Sequence, residues 1–209
     1  MKRIFWNVDT QFDFMRPDGK LYIEGAEKIE PKLEQLTIYA DSTDDQKVNT
    51  GDKHNKDSEE LSAEPDFVST FPEHCMEETM GVEYVPATSV RDSYKVDWTD
   101  ETFDMEKLRG SKDITIYKDA FDVFAGNKHT ESIVEALNPD EVIGYGVAGN
   151  VCLDFAVMGL VDRGYKVYVP TNAIEWLPNL PKEEVLQKWE DSGVKLTTVD
   201  DIISGAYRR

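Results

Sequence analysis

Cysteine and histidine are scarce in this chain, with two of the former and three of the latter among 209 residues. Two cysteines make no disulfide framework, and in a reducing compartment Cys75 and Cys152 are both free thiols. Basic side chains are also in deficit: 23 Lys and Arg face 42 Asp and Glu, a formal net charge of −19. A surface of that sign repels phosphate backbones and anionic lipid, which excludes nucleic acid as a partner. Nowhere does an apolar run reach the length that spans a bilayer, so no membrane partner is expected. The opening residues, MKRIFWNVDTQFDF, meet an aspartate at position 9, too soon for the apolar stretch of a secretion signal. The expectation is a cytoplasmic protein.

What is present suffices for a core. Hydrophobic residues make up 40% of the chain, and one globular domain over residues 1–209 is the working division. Short β-branched or aromatic runs, RIFWNVD, QKVNT, DITIYK, EVIGYGVA, YKVYVPT and KLTTV, alternate with helix-like segments. That order predicts βαβ units and a mainly parallel, doubly wound sheet in an α/β fold. Helices are predicted in GAEKIEPKLEQLTIYA, HTESIVEALN and PKEEVLQKWEDSG, and in LDFAVMGLVDRG, which is apolar nearly all round and therefore central and buried. Residues 41–66, apart from the strand they contain, and 86–112 read as long loops, where sites tend to sit.

In a doubly wound sheet, ligands bind beyond the carboxyl ends of the strands. That rule selects Asp9 after IFWNV, Asp52 and His54 after KVNTG, Lys118 after ITIY, and Cys152 after VIGYGVAGN. The last segment admits two readings. Gly144, Gly146 and Gly149 form G-x-G-x-x-G, a dinucleotide fingerprint that would make the chain a redox protein, yet the end of the next strand offers Pro170, Thr171 and Asn172 where an acid should accept the ribose hydroxyl. Alternatively the turn places Cys152 at a helix N-terminus, where free N–H groups and the helix dipole favour thiolate and can hold an oxyanion. Asp52, His54 and His74 offer two nitrogens and a carboxylate with open positions, a set suited to zinc, iron or manganese; two histidines and an aspartate without regular spacing also occur by chance. Asp9 and Asp13 in DTQFDF supply an acid or base with Phe12 or Phe14 as a pocket wall, or a mere turn cluster. Lys118 can pair with Asp9 and stabilise a neighbouring thiolate. His129 receives no role.

Taken in order, DTQFDF, GDKH, FPEHC, YKDAFDVFAG and GYGVAGNVCLDFA resemble the signature segments of the isochorismatase-like cysteine hydrolases, in particular the metal-containing nicotinamidase branch. The resemblance runs from about residue 4 to about residue 172 and implies a three-layer α/β/α fold. It implies a catalytic triad of Asp9, Lys118 and Cys152, metal ligands Asp52, His54 and His74, and a fourth ligand near Glu60. It further implies an aromatic pair, Phe14 and Phe71, around the substrate ring, with Val147 at the substrate, a cis peptide at Val147–Ala148, and an oxyanion hole from the N–H groups of Ala148 and Cys152. The implied function is metal-dependent hydrolysis of nicotinamide to nicotinate and ammonia through a cysteine thioester, by a homo-oligomer holding one divalent ion, zinc foremost. Another small amide or carbamoyl substrate is the alternative. The chain departs from the family pattern at Gly149, Asn150, Leu153 and Glu73, positions that bear on the substrate.

Overall fold

Alternating side chains along the first strand already dictate two covered faces. In the computed structural model, which describes residues 1–67, 69–90, 92–178 and 181–208, Ile4, Trp6 and Val8 point into one apolar cluster and Phe5 into another, as period-two geometry requires. The elements are β1 (Arg3–Val8), α1 (Phe12–Met15), α2 (Glu30–Ser42), β2 (Gln46–Asp52), β3 (Tyr94–Val96), α3 (Met105–Gly110), β4 (Asp113–Lys118), α4 (Val123–Gly126), α5 (Thr130–Leu137), β5 (Glu141–Gly146), α6 (Cys152–Asp162), β6 (Val167–Pro170), α7 (Lys182–Asp191), β7 (Lys195–Thr197) and α8 (Val199–Ser204). One sheet of seven strands in the order β3-β4-β2-β1-β5-β6-β7 is parallel throughout.

Leu33, Leu36 and Ala40 of α2 and Val199 and Ile202 of α8 cover the Phe5 face. Leu108 of α3, Ile133 and Val134 of α5, Leu153, Val157 and Leu160 of α6 and Trp189 of α7 cover the other. The predicted three-layer architecture is therefore present. No helix among the described residues is long and apolar enough to cross a membrane.

Two expectations are corrected. Residues 86–112, Arg91 lying outside the described set, are not all loop: they hold the edge strand β3 and the helix α3, whose N-cap Asp104 accepts from the N–H groups of Glu106 and Lys107. The strand read into KLTTV stops at Thr197, because Thr198 caps α8 by accepting from the N–H of Asp201 at 3.1 Å. The segment after β2 is irregular, as expected, and is held by isolated bridges, His54 to Met76 and Leu61 to Phe71.

Strand order reverses about β1: β2 lies to one side of it and β5 to the other, both parallel to it. This is the topological switch point, where the carboxyl ends of neighbouring strands splay and leave a crevice. Asp9 and Cys152 flank it.

The glycines of the β5–α6 turn are explained by packing. Gly146 has φ +118°, and a Cβ there would lie 2.1 Å from the carbonyl oxygen of Val8. At Gly149 a Cβ would come within 2.7 Å of both Ile174 and the Trp176 ring. Gly149→Ala is expected to lower stability by about 1–3 kcal/mol through overpacking; an unchanged denaturant midpoint would contradict this packing account.

Candidate active site

Adjacent strands deliver the first charged pair. Lys118 and Asp52 are direct register partners at the ends of β4 and β2, and their side chains form a fully buried ion pair. The same ammonium lies 2.9 Å from Asp9 Oδ2 and 3.8 Å from Cys152 Sγ. Lys118 thus bridges the base candidate, the metal-ligand candidate and the thiol, a double engagement the sequence reading gave only for Asp9 and the sulfur. Asp9 turns into the site by leaving β1 at φ +50°, a left-handed conformation that aspartate tolerates better than most residues. Thr50 Oγ1 donates to Asp9 Oδ1 at 2.7 Å. Carboxylate oxygens of Asp9 and Asp52 and the Cys152 sulfur all lie within 4.8 Å of one another.

Cys152 opens α6, as expected. The peptide Val147–Ala148 is cis. Among the described residues neither the Ala148 nor the Cys152 N–H donates a hydrogen bond, whereas Val147, Gly149, Val151 and Leu153 do. Two free amides therefore accompany the sulfur. Burial raises the Cys152 thiol well above its ordinary pKa, against the pull of the Lys118 charge. Burial therefore favours the thiol, and Asp9, with its carboxylate within 4.8 Å of the sulfur, is placed to take the proton. Burial likewise raises Asp9 against the pull of Lys118, which makes it a better proton acceptor than an ordinary carboxylate.

The second cluster is Asp52, His54, Glu60 and His74, whose ligand atoms lie within 4.8 Å of one another and which are all buried. Two loops meet to build it: the N–H of His54 donates to the carbonyl of Cys75 at 3.1 Å, and the N–H of Glu77 donates back to His54 at 2.9 Å. Glu60 is fixed by its carbonyl, which accepts from the N–H of Phe71. Gln11 brackets Asp52 from both sides, Nε2 donating to its carbonyl and Oε1 accepting from its N–H, each at 2.7 Å. Asp13 proves to be a clamp, accepting from the N–H of Cys75 at 2.7 Å.

Each imidazole has Nδ1 already engaged. His54 Nδ1 meets Asp119 Oδ1 at 2.9 Å and His74 Nδ1 meets the Pro72 carbonyl at 2.8 Å. Both rings therefore aim Nε2 inward, the arrangement that prepares histidines for a cation. His54 Nε2 and Glu60 Oε2 are buried without a hydrogen-bond partner, an unfavourable state that a cation would relieve. The donor set fits a divalent metal. Burial and the neighbouring Asp52 push Glu60 up to about 8. Asp52 is held below the usual carboxylate range: burial alone would raise it, but Lys118 and the His74 hydrogen bond outweigh that.

Asp119, Thr50 and Gln11 were not singled out in the sequence; only the position of Asp119 directly after Lys118 hinted at a role. Asp119→Asn is expected to weaken divalent-metal affinity about 10- to 100-fold, and isothermal titration giving wild-type affinity would contradict this.

A cavity of about 530 Å³ opens above both clusters, lined on the inner side by Phe14, Phe71, His74, Asp52, Val147 and Cys152. The Phe14 and Phe71 rings stand 5.4 and 6.2 Å from the His74 ring. Every residue expected at the site is gathered at this crevice. His129 is elsewhere, its Nε2 2.9 Å from the Asp100 carbonyl.

A parallel α/β sheet thus carries a buried cysteine, lysine and aspartate beside a carboxylate–imidazole cluster at its switch point, an arrangement equipped for nucleophilic and metal-assisted chemistry. The chain belongs to the isochorismatase family and is a hydrolase: the isochorismatase domain model matches residues 95–201. Solved structures share the fold. The pyrazinamidase of Pyrococcus horikoshii in complex with zinc is similar at TM-score 0.76 and 20% identity, over 95% of this chain and 99% of that one. The nicotinamidase/pyrazinamidase of Bacillus subtilis gives 0.74 and 20%, over 94% and 100%. N-carbamoylsarcosine amidase of Thermoplasma acidophilum gives 0.73 and 18%, over 96% and 98%. Among curated proteins, no sequence matches the chain.

Proposed function

We propose that this hydrolase cleaves a small carboxamide, nicotinamide being the reference substrate, through a thioester on Cys152. The observation that carries this reading is the single contact set joining Cys152 Sγ, Lys118 and Asp9 beneath two unengaged backbone amides. Asp9 takes the thiol proton, and Lys118 offsets the charge left on sulfur. Sulfur attacks the carbonyl carbon while the Ala148 and Cys152 N–H groups hold the oxyanion. Asp9 returns its proton to the leaving nitrogen, the C–N bond breaks, and ammonia departs. Water, its proton drawn by Asp9, then attacks the thioester, and the acid leaves with the thiol restored.

Asp52, His54, Glu60 and His74 would hold a divalent metal, zinc foremost, with iron or manganese also suited to the nitrogen and oxygen donors. When bound, it would supply a Lewis-acid contact that orients the substrate ring. Phe14 and Phe71 flank that ring in this reading. The zinc complex of the Pyrococcus pyrazinamidase supports the choice of metal, and the nicotinamidase and carbamoylsarcosine amidase likenesses support amide or carbamoyl substrates. The glycine turn is occupied by packing against Val8 and Trp176, which leaves the dinucleotide reading without a supporting feature.

The test combines two measurements on one sample: metal content by elemental analysis and ammonia release from nicotinamide. Stoichiometric divalent metal, turnover lost on chelation and turnover regained with zinc are expected. Full activity in a metal-free sample would overturn the metal's part.

A further inference from the structure

The cavity is larger than a single-ring amide needs. Its volume of about 530 Å³ lies in the range of pockets that enclose drug-sized molecules. The ionisable oxygen and nitrogen groups of its lining, Asp52, Glu60 and His74, form one pole, and the amide of Asn150 is turned to the Leu177 backbone. Away from that pole the wall runs on over Val151, Phe155, Phe121 and Leu177, all apolar. Phe155 follows Cys152 by three residues in α6, so its ring lies on the same helix face, one turn farther along. It meets Phe121 with ring centroids 5.0 Å apart and is still 42% exposed, an apolar surface left for something to cover.

Leu177 is held to this wall by Asn150. The Asn150 Nδ2 donates to the Leu177 carbonyl at 2.9 Å, and Oδ1 accepts from the Leu177 N–H at 3.0 Å. Asn150 belongs to the turn that presents the nucleophile, so one segment fixes both Cys152 and the apolar wall. Asn150 is one of the positions where the chain departs from the family pattern. No lysine or arginine lines the cavity among the described residues. A carboxylate entering it would lose hydration beside a Lys118 ammonium that is already paired with Asp9 and Asp52, and a divalent ion at the pole would be balanced by Asp52 and Glu60.

We propose that the wall of Val151, Phe155, Phe121 and Leu177 is a subsite for an apolar extension, and that the substrate is an uncharged carboxamide whose ring carries a fused or appended apolar group. This rests on the reading of Cys152 as the nucleophile, which fixes where the amide lies.

Calorimetry on metal-loaded Cys152→Ala protein tests this with nicotinamide, quinoline-3-carboxamide and quinoline-3-carboxylate. The bicyclic amide is expected to bind about tenfold tighter than nicotinamide, from the added apolar burial, and about tenfold tighter than its own carboxylate. Equal or weaker binding of the bicyclic amide overturns the subsite, and tighter binding of the carboxylate overturns the preference for a neutral ligand. Adding Phe155→Ala or Phe121→Ala should shrink the bicyclic preference severalfold with the melting temperature retained; a preference untouched by either change overturns the assigned wall. Wild-type turnover separates the two claims. Bicyclic preference in binding with no ammonia from either amide supports the subsite and overturns the amidase reading, whereas ammonia from nicotinamide without any bicyclic preference does the reverse.

Discussion

Cys152→Ala is expected to lower kcat for carboxamide hydrolysis by about 10⁴-fold or more, since removal of a covalent nucleophile leaves only binding and oxyanion stabilisation. The fold should survive. Cys152 is the first residue of α6, its side chain is small, and alanine is a good helix former, so a stability change of about 1 kcal/mol or less is expected. Bound metal should be retained, because the sulfur does not belong to the Asp52, His54, Glu60 and His74 set. Ammonia release assayed beside elemental analysis checks both halves. A variant that loses activity and metal together would point instead to a collapsed site.

Lys118 carries the second large effect. Its ammonium is fully buried and paired with two carboxylates, Asp9 and Asp52, which together raise its pKa well above the ordinary value despite the opposing effect of burial. Lys118→Met fills most of the volume but strands two buried carboxylates. Losing one partner of a buried ion pair destabilises a protein by about 3–5 kcal/mol, and the same figure is expected here from chemical denaturation with metal content matched between samples. Turnover should fall by about 10²-fold or more as well, because Asp9 loses the cation that keeps it ionised and in place. Wild-type stability would show that this ion-pair network does not hold the carboxylates as described.

How much of this was legible in the sequence follows from the range over which each interaction acts. Asp9, Asp52, Lys118 and Cys152 end or follow strands that the β-branched runs mark clearly, and a parallel sheet gathers such ends at one edge. The central helix was legible from its apolar composition. By contrast, α3 has six residues and β3 three, too short for a periodic pattern to register. The α8 start carried a local signal, Thr198 with an acid three residues on at Asp201, the capping arrangement, but the β-branched residues before it outweighed that cue. Thr50, Gln11 and Asp119 act through contacts between residues 41 or 65 positions apart, and nothing in their local sequence distinguishes them from ordinary strand-end polar residues.

The thiol shows a different limit. A helix N-terminus lowers a cysteine pKa when the group is solvated, yet here the sulfur is buried, and burial acts in the opposite direction. Burial depends on the whole fold and is not written in GNVCLDF. The same holds for Asn150, whose partner Leu177 lies 27 residues away. The glycine fingerprint illustrates the converse: a pattern that is fully visible in sequence acquires its meaning from the Val8 carbonyl and the Trp176 ring beside it.

Covalent catalysis by Cys152 is the claim on which the other roles depend, and mass analysis of the protein quenched during carboxamide turnover tests it most directly. The account predicts that the peptide containing Cys152 gains the acyl group of the substrate as a thioester, that the mass disappears as substrate is exhausted, and that Cys152→Ala shows neither adduct nor ammonia. Ammonia released at an undiminished rate by Cys152→Ala, or an acyl group recovered on a different residue, would contradict it.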